Sequence, residues 1–238
     1  MKKTSYSVLL KKSALFVLAA FCALVFLSSC EKKQDTFQPQ FPQNSPPPPK
    51  DMPQGAQGPG GRNPVIETIM SRRAVRDYDD KPVEHEKLEQ IVECGIYAPN
   101  GMNAQSWAIR VVENQSFIDE LTEIFKEEQP QLAQDNFKTM FRNARTVICV
   151  ATPKDNSALI EAGMLGENMI LAAQSLGLKT CPLGGPAQFL KTSQRAKPYL
   201  DALNIPPEYE LNYMIAIGYS DEKPEVPPRD KTKIEYIR

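Results

Sequence analysis

Three arginines lie within one short segment, Ser71-Arg72-Arg73-Ala74-Val75-Arg76, and form the clearest cluster of charge in the chain. A guanidinium presents N–H donors in a planar fork that matches the oxygens of a phosphate group. The segment therefore predicts a site for a phosphorylated ligand. The same pattern is also typical of a solvated helix end, where cations interact favourably with the helix dipole, and the segment alone does not separate the two interpretations.

Two further segments bring together side-chain amides and glycines. Residues 98–107 read APNGMNAQSW, and Asn and Gln amides both donate and accept hydrogen bonds, as the edge of a heterocyclic ring requires. Residues 181–185 read CPLGG, and paired glycines let backbone N–H groups approach a flat ligand because no Cβ intervenes. An ordinary turn would explain either segment alone. The sequence contains no GxGxxG fingerprint and no P-loop.

Metal and nucleic-acid chemistry are poorly supported by the composition. His85 is the only histidine, which excludes a metal site with two imidazoles, and five cysteines without a CxxC pair do not indicate a zinc cluster. The net charge of −1 includes four lysines and no acid within residues 1–30, so the remainder of the chain is acidic. We therefore expect no metal and no nucleic-acid partner.

Amphipathic patterns place these segments on a sheet that is covered by helices on both faces. Asn63 and Pro64 predict the start of a first helix. The buried side of that helix is predicted to comprise Val65, Ile66, Ile69 and Met70. Further helices are predicted over 83–97, around 117–125 and over 157–176, the last closed by Gly177, with strands over 107–112, 146–151 and 213–218.

Taken together, the segments resemble the FMN-dependent nitroreductase family. The matching stretches are residues 71–83, 98–107, 168–178, 181–185 and 217–222, whose order and spacing agree over nearly all of residues 64–231. The resemblance implies an α+β, nitroreductase-like fold with a central mixed β-sheet wrapped by helices. It also implies a homodimer with exchanged C-terminal extensions, so that residues 219–238 would lie on the partner.

The resemblance further implies an FMN site shared between two subunits. The arginine segment would hold the phosphate and ring edge, the 98–107 loop would contribute across the dimer interface with support from Gln105, and the Gly184 N–H would donate to flavin N5. Ala74 and Asn100 stand where the family usually has Ser, and Ser106 where it has Pro. The implied cofactor-binding residues are Arg72, Arg73, Ala74, Arg76, Pro99, Asn100, Gly101, Asn103, Pro182, Leu183, Gly184, Gly185, Arg229 and Lys231.

The implied activity is that of a flavin-dependent oxidoreductase. Flavin N5 would take up a hydride and pass electrons, in ping-pong turnover, to a nitro-aromatic, quinone-like or other small acceptor. No side chain then has to act as acid, base or nucleophile. Cys181 is expected to be a buried structural thiol, His85 to be exposed and idle, and Glu161 and Asn168 to be polar packing near the dimer interface.

Other functions on the same site stay open. These are a dehalogenase or dehydrogenase reaction, or a non-catalytic FMN-binding or surface-interaction lipoprotein. NAD(P)H as the electron donor is also open, because an exported enzyme would meet little of it.

Residues 1–61 predict export and tethering. Lysines precede an apolar run over 13–27, about 22 Å long as a helix at roughly 1.5 Å per residue, which is short of the roughly 30 Å hydrocarbon core. This is typical of a signal peptide.

The residues after the apolar run predict lipidation and a tether. Leu27-Ser28-Ser29-Cys30 resembles the lipobox of bacterial lipoproteins, which implies lipidation of Cys30 and anchoring at the periplasmic face or cell surface. Residues 31–61 contain eight Pro, four Gly and six Gln, which predicts a disordered tether to an FMN-binding domain over 62–238.

Overall fold

A computed structural model of the chain describes residues 63–133 and 137–238. The predicted signal peptide, the predicted lipidation site Cys30 and the predicted tether lie outside the described residues. Within them, no helix combines the length and the apolar composition that a membrane crossing needs.

The described part of the chain contains six α-helices and four strands. The helices are α1 (Pro64–Ser71), α2 (His85–Ile96), α3 (Gln115–Glu128), α4 (Asn156–Ser175), α5 (Gly184–Thr192) and α6 (Lys197–Ala202). The strands are β1 (Ala108–Val112), β2 (Thr146–Pro153), β3 (Lys179–Leu183) and β4 (Tyr209–Gly218). Short 3₁₀ turns lie at Gly101–Asn103 and Lys231–Lys233.

The four strands form one sheet in the order β1-β2-β4-β3. All three ladders are antiparallel: β1 pairs with β2, and β4 pairs with both β2 and β3. Parallel pairing is confined to a single bridge between Ala74 and Thr180. The α+β class is therefore confirmed, and in the described residues the sheet is antiparallel, with this one isolated parallel bridge beside β3.

Strand β2 shows why the sheet must be covered on both faces. Alternate side chains of a strand point to opposite faces, and every β2 residue from Thr146 to Thr152 is buried. Val147 and Cys149 pack with residues of α3 and α5, whereas Ile148 and Val150 pack with residues of α2 and α4. The prediction of a sheet wrapped by helices is confirmed.

Several predicted local signals act as expected. Asn63 accepts hydrogen bonds from the N–H groups of Val65 and Ile66, and Pro64 is the first helical residue of α1. Gly177 follows α4 with φ of +79°, a left-handed conformation that glycine adopts without steric cost.

The predicted burial of one side of α1 is wrong for the single chain. Val65, Ile66, Ile69 and Met70 are 64, 56, 48 and 69% exposed, and α1 has no buried residue. On α4, Leu159 and Ile160 are also exposed, at 49 and 67%. The amphipathic pattern correctly identified an apolar side, but no described element of the same chain covers it.

The C-terminal segment was predicted to lie against another surface. In the single chain, residues 225–238 are exposed throughout. Val226, Ile234, Tyr236 and Ile237 are 70, 59, 77 and 86% exposed. Apolar side chains of this size favour a surface that the described part of one chain does not provide.

Candidate functional site

The arginine segment is held against strand β3. The Val75 N–H donates to the Thr180 carbonyl at 3.1 Å, next to the Ala74–Thr180 bridge. The buried Tyr78 hydroxyl lies 3.0 Å from the Val75 carbonyl oxygen and 3.2 Å from that of Ala216, and burial raises the pKa of Tyr78 above its ordinary value. These contacts fix the predicted phosphate-binding segment beside the strand that leads to Gly184.

The three guanidiniums of this segment have different local partners. Arg72 Nε lies 3.8 Å from Glu167 Oε1 on α4, and Arg76 Nη1 donates to the Ala74 carbonyl at 3.3 Å. Arg73 Nη1 donates to the carbonyls of Met70 and Arg72, at 2.8 and 2.6 Å, so this residue also closes the end of α1. Arg73 Nε is buried without a hydrogen-bond partner in the described residues, which leaves a donor for an anionic ligand.

Glu222 fixes the far end of the same segment. Its Oε2 accepts hydrogen bonds from the Arg76 N–H at 2.6 Å and from the Asp77 N–H at 3.0 Å. Glu222 ends one of the stretches that resemble the family, but its residue type and position alone do not indicate this role. Two consecutive backbone N–H groups that hold one carboxylate make Glu222 a positioning residue for Arg76.

The glycine pair marks the exposed end of β3. Leu183 is buried, whereas Pro182, Gly184 and Gly185 are exposed. Helix α5 begins at Gly184, and the side chain of its N-cap residue, Leu183, makes no capping hydrogen bond. A Cβ added at Gly184 or Gly185 would meet nothing within 4 Å. The first N–H groups of α5 are therefore available to an acceptor atom of a ligand.

These features together fit an FMN. Buried and half-buried arginine donors match a phosphate, and the open glycine edge with its N–H groups matches one face and edge of a flat ring. The structure joins the two groups through a single pairing of residues 74–75 with Thr180.

The loop over 99–105 is strained and tightly held. Met102, Asn103 and Gln105 have φ of +52°, +53° and +50°, a region that side chains disfavour. Asn100 Oδ1 accepts from the Gln105 N–H at 2.9 Å, and Glu161 Oε1 accepts from the Gly101 N–H at 2.7 Å. Glu161, expected from the sequence to be polar packing, is thus a positioning residue for this loop.

In the described residues, no hydrogen bond or ion pair joins the arginine segment to the 99–105 loop or to the tail cations Arg229 and Lys231. The loop residues Pro99, Gly101 and Asn103 are exposed, and the loop is fixed to Glu161, six residues before Glu167 along α4, or about 9 Å at 1.5 Å per residue. Arg229 and Lys231 lie in the exposed tail, where Arg229 Nη1 donates to the Pro227 carbonyl at 3.1 Å. The role of both groups at the FMN site stays a prediction.

Cys181 is 2% exposed. Burial raises the pKa of its thiol, although the nearby guanidiniums of Arg76 and Arg142 oppose the shift. A neutral buried thiol is a poor nucleophile, which favours the structural role.

Two further polar side chains make only local contacts. His85 is exposed, and its imidazole lies 3.6 Å from Glu89 and 3.4 Å from Glu113. Asn168 Nδ2 donates to the Cys94 carbonyl at 3.2 Å.

The comparisons with known proteins agree with this geometry. The Nitroreductase family model matches residues 69–219, and the chain belongs to that family. A protein of Archaeoglobus fulgidus, provisionally named NADH dehydrogenase/NAD(P)H nitroreductase, is 28% identical over 165 residues, which cover 66% of this chain and 87% of the relative. The NADPH-flavin oxidoreductase of Vibrio harveyi is 26% identical over 174 residues, covering 70% of each chain.

A solved structure supports the same relationship. The nitroreductase of Bacteroides fragilis, crystallised with bound FMN, aligns with a TM-score of 0.67 and 27% identity. The alignment covers 74% of this chain and 100% of that one.

Proposed function

We propose that the protein is an FMN-dependent oxidoreductase in which the arginine segment and the glycine edge hold the cofactor. The observation that carries the proposal is the attachment of residues 74–75 to Thr180, four residues before Gly184, where α5 begins without a side-chain cap from Leu183. FMN bound to a structural neighbour and the flavin-dependent names of its relatives support the same cofactor.

Each group of this chain has a defined task in the proposal. Arg72, Arg73 and Arg76 bind the phosphate and ring edge, and the Gly184 N–H donates to the ring at the uncapped start of α5. When bound, FMN supplies N5, which accepts a hydride and passes electrons in ping-pong turnover to a nitro-aromatic, quinone-like or other small acceptor. The helix start is preorganised to stabilise negative charge on the reduced ring.

The complete site is proposed to need two copies of the chain. The exposed apolar sides of α1 and α4 would pack in a homodimer interface, which explains why these side chains are apolar although the single chain leaves them uncovered. The exchanged tail would bring Arg229 and Lys231 to the partner's phosphate site. The partner's 99–103 loop would reach the ring in the same way.

Purified full-length protein tests the proposed function. We expect a yellow protein with stoichiometric FMN, whose flavin absorbance bleaches with dithionite and recovers with a nitro-aromatic or quinone acceptor. A colourless protein would favour a scaffold that has kept only the fold. Stopped-flow mixing with NADPH separately tests the donor, and rapid saturable reduction at micromolar NADPH would identify NADPH as a competent donor despite the predicted export.

Replacing Gly184 with Pro tests the N–H of α5. Proline is favoured at the first position of a helix, and Leu183 has the extended φ and ψ, −127° and 111°, that a following proline requires. We expect bound FMN to be retained and its rate of reduction to fall about 100-fold, the typical cost of one preorganised donor. Gly184→Ala is the matched control, because it also adds a Cβ at position 184, where nothing of the described chain lies within 4 Å, but keeps the N–H. An unchanged rate in Gly184→Pro would refute the donor role.

We also propose that the protein is an exported lipoprotein anchored through Cys30. The basic start, short apolar run and lipobox-like residues 27–30 support this. We expect Cys30→Ser to abolish incorporation of labelled palmitate and to move the protein out of the membrane fraction of cells. Cys94→Ser is the control, because Cys94 lies outside the leader. Continued membrane association of the Cys30→Ser protein would point to an uncleaved anchor.

A further inference from the structure

Two adjoining cavities lie beside the proposed flavin edge. The larger, about 400 Å³, is mainly apolar. The smaller, about 240 Å³, is mainly charged. Phe137 and Arg142 line both, so these two side chains stand where the cavities meet.

The larger cavity has aromatic walls. The rings of Phe125 and Phe137 are stacked at 5.4 Å with an interplanar angle of 17°. Phe125 meets Phe189 edge to face at 5.1 Å. Gly185 and Pro186 at the start of α5 line the same cavity, which places it next to the exposed glycine edge. Stacked and edge-on rings next to an open backbone edge are suited to a planar apolar molecule.

The smaller cavity has a surplus of positive charge. Its charged lining residues are Arg76, Lys138, Arg142 and Asp77. Lys138 Nζ pairs with Asp77 Oδ1 at 3.1 Å, and Arg76 is assigned to FMN, so Arg142 is the cation of this lining that is left for an acceptor. The Arg142 guanidinium makes no hydrogen bond or ion pair with the residues that the structure describes, 63–133 and 137–238.

Arg142 is presented by a fixed turn. Arg142 and Asn143 have φ of +60° and +73°, which is uncommon for residues other than glycine and is typical of ligand clamps. The turn lies between the buried residues Phe141 and Ala144, and the Asn143 N–H donates to Thr139 Oγ1 at 2.8 Å. The backbone that carries the free guanidinium is therefore held in place before any ligand arrives.

We propose that this composite pocket, the two cavities joined at Phe137 and Arg142, selects acceptors that combine a planar aromatic or quinone-like body with a carboxylate. The aromatic walls take the planar body, and Arg142 binds the carboxylate through charge-assisted hydrogen bonds. The inference rests on the proposed function, because it places the acceptor beside the flavin edge. It adds Arg142 as the residue that determines which acceptors bind.

Equilibrium binding to the FMN-loaded full-length protein tests this inference. The probes are 4-nitrobenzoate and its neutral counterpart 4-nitrobenzamide, titrated by calorimetry against oxidised protein. We expect the wild-type protein to bind 4-nitrobenzoate about tenfold more tightly than 4-nitrobenzamide. Arg142→Gln should remove that preference, because it should lower the affinity for 4-nitrobenzoate about tenfold. Binding of the amide should change less than about twofold, and FMN content should be unchanged.

Two variants control for structural effects. Arg145→Gln removes a nearby guanidinium that is paired with Asp80 and lines neither cavity, and it should leave both probes unaffected. Arg142→Lys keeps the charge and should restore part of the preference for the acid. This rescue would not be expected if Arg142 served only to stabilise its turn.

The other outcomes separate this inference from the proposed function. Equal weakening of both probes, loss of FMN from Arg142→Gln, or a wild-type protein without preference for the acid would each overturn the role of Arg142. A colourless protein that still binds 4-nitrobenzoate through Arg142 would refute the redox function and retain the carboxylate site. A colourless protein that binds neither probe would overturn both.

Discussion

Replacing Arg72 and Arg73 together with alanine is expected to cause loss of FMN on dialysis from a protein that remains folded. Each charge-assisted hydrogen bond to a phosphate contributes about 1.5–3 kcal/mol, so the pair should weaken FMN binding by at least about 100-fold. Arg73 also donates to two carbonyls at the end of α1. Its loss should lower the free energy of unfolding by only about 1 kcal/mol, because α1 is exposed.

The measurement is flavin absorbance before and after dialysis, with circular dichroism to monitor the fold. Arg195→Ala is the matched control, because that guanidinium pairs with Glu127 at 2.6 Å and belongs to none of the proposed FMN-binding segments. The control should retain its flavin. Full retention of FMN by the double variant would contradict the assignment of the phosphate site.

The sequence correctly predicted the elements that are buried by contacts within one chain. The apolar side of α2 is buried at Leu88, Ile91 and Gly95, because α4 packs against it. Strand β2 is buried on both faces. Such patterns depend on contacts that every folded copy makes. They recur with the period of the helix or strand, and can therefore be recognised without knowing the partner element.

Helix α1 shows the limit of the same reasoning. Its apolar side was identified correctly, but a hydrophobic period does not reveal which surface covers it. The short helices α5 and α6 were not predicted as helices. Six to nine residues carry too little periodicity to be recognised, and the glycine pair that begins α5 is equally typical of a turn.

The family resemblance predicted the candidate cofactor-binding residues. It did not predict the residues that position them through backbone contacts remote in sequence. Glu161 binds an N–H 60 residues away, and Glu222 binds one 146 residues away. The donor in each contact is a backbone N–H, so the side chain at the donor position carries no signal of the contact. These two positioning residues became visible only when the fold brought their elements together.

Charge placed on the exposed apolar sides of α1 and α4 should separate the proposed homodimer. We expect Ile66→Asp combined with Ile160→Asp to give a monomer, because a buried unpaired carboxylate costs several kcal/mol and two substitutions act in each copy. Association should weaken by more than about 1,000-fold. Both side chains are exposed in the single chain, at 56 and 67%, so the monomer should stay folded.

The same double substitution should release FMN, because the 99–103 loop and the tail cations of the partner would no longer reach the site. Sedimentation velocity measures the assembly, and flavin absorbance after gel filtration measures the cofactor. Leu132→Asp is the control, since Leu132 is 62% exposed but lies outside α1 and α4, and it should remain dimeric. A folded monomer that keeps its FMN would show that one chain completes the site, and the exposed 99–103 loop would then need another role.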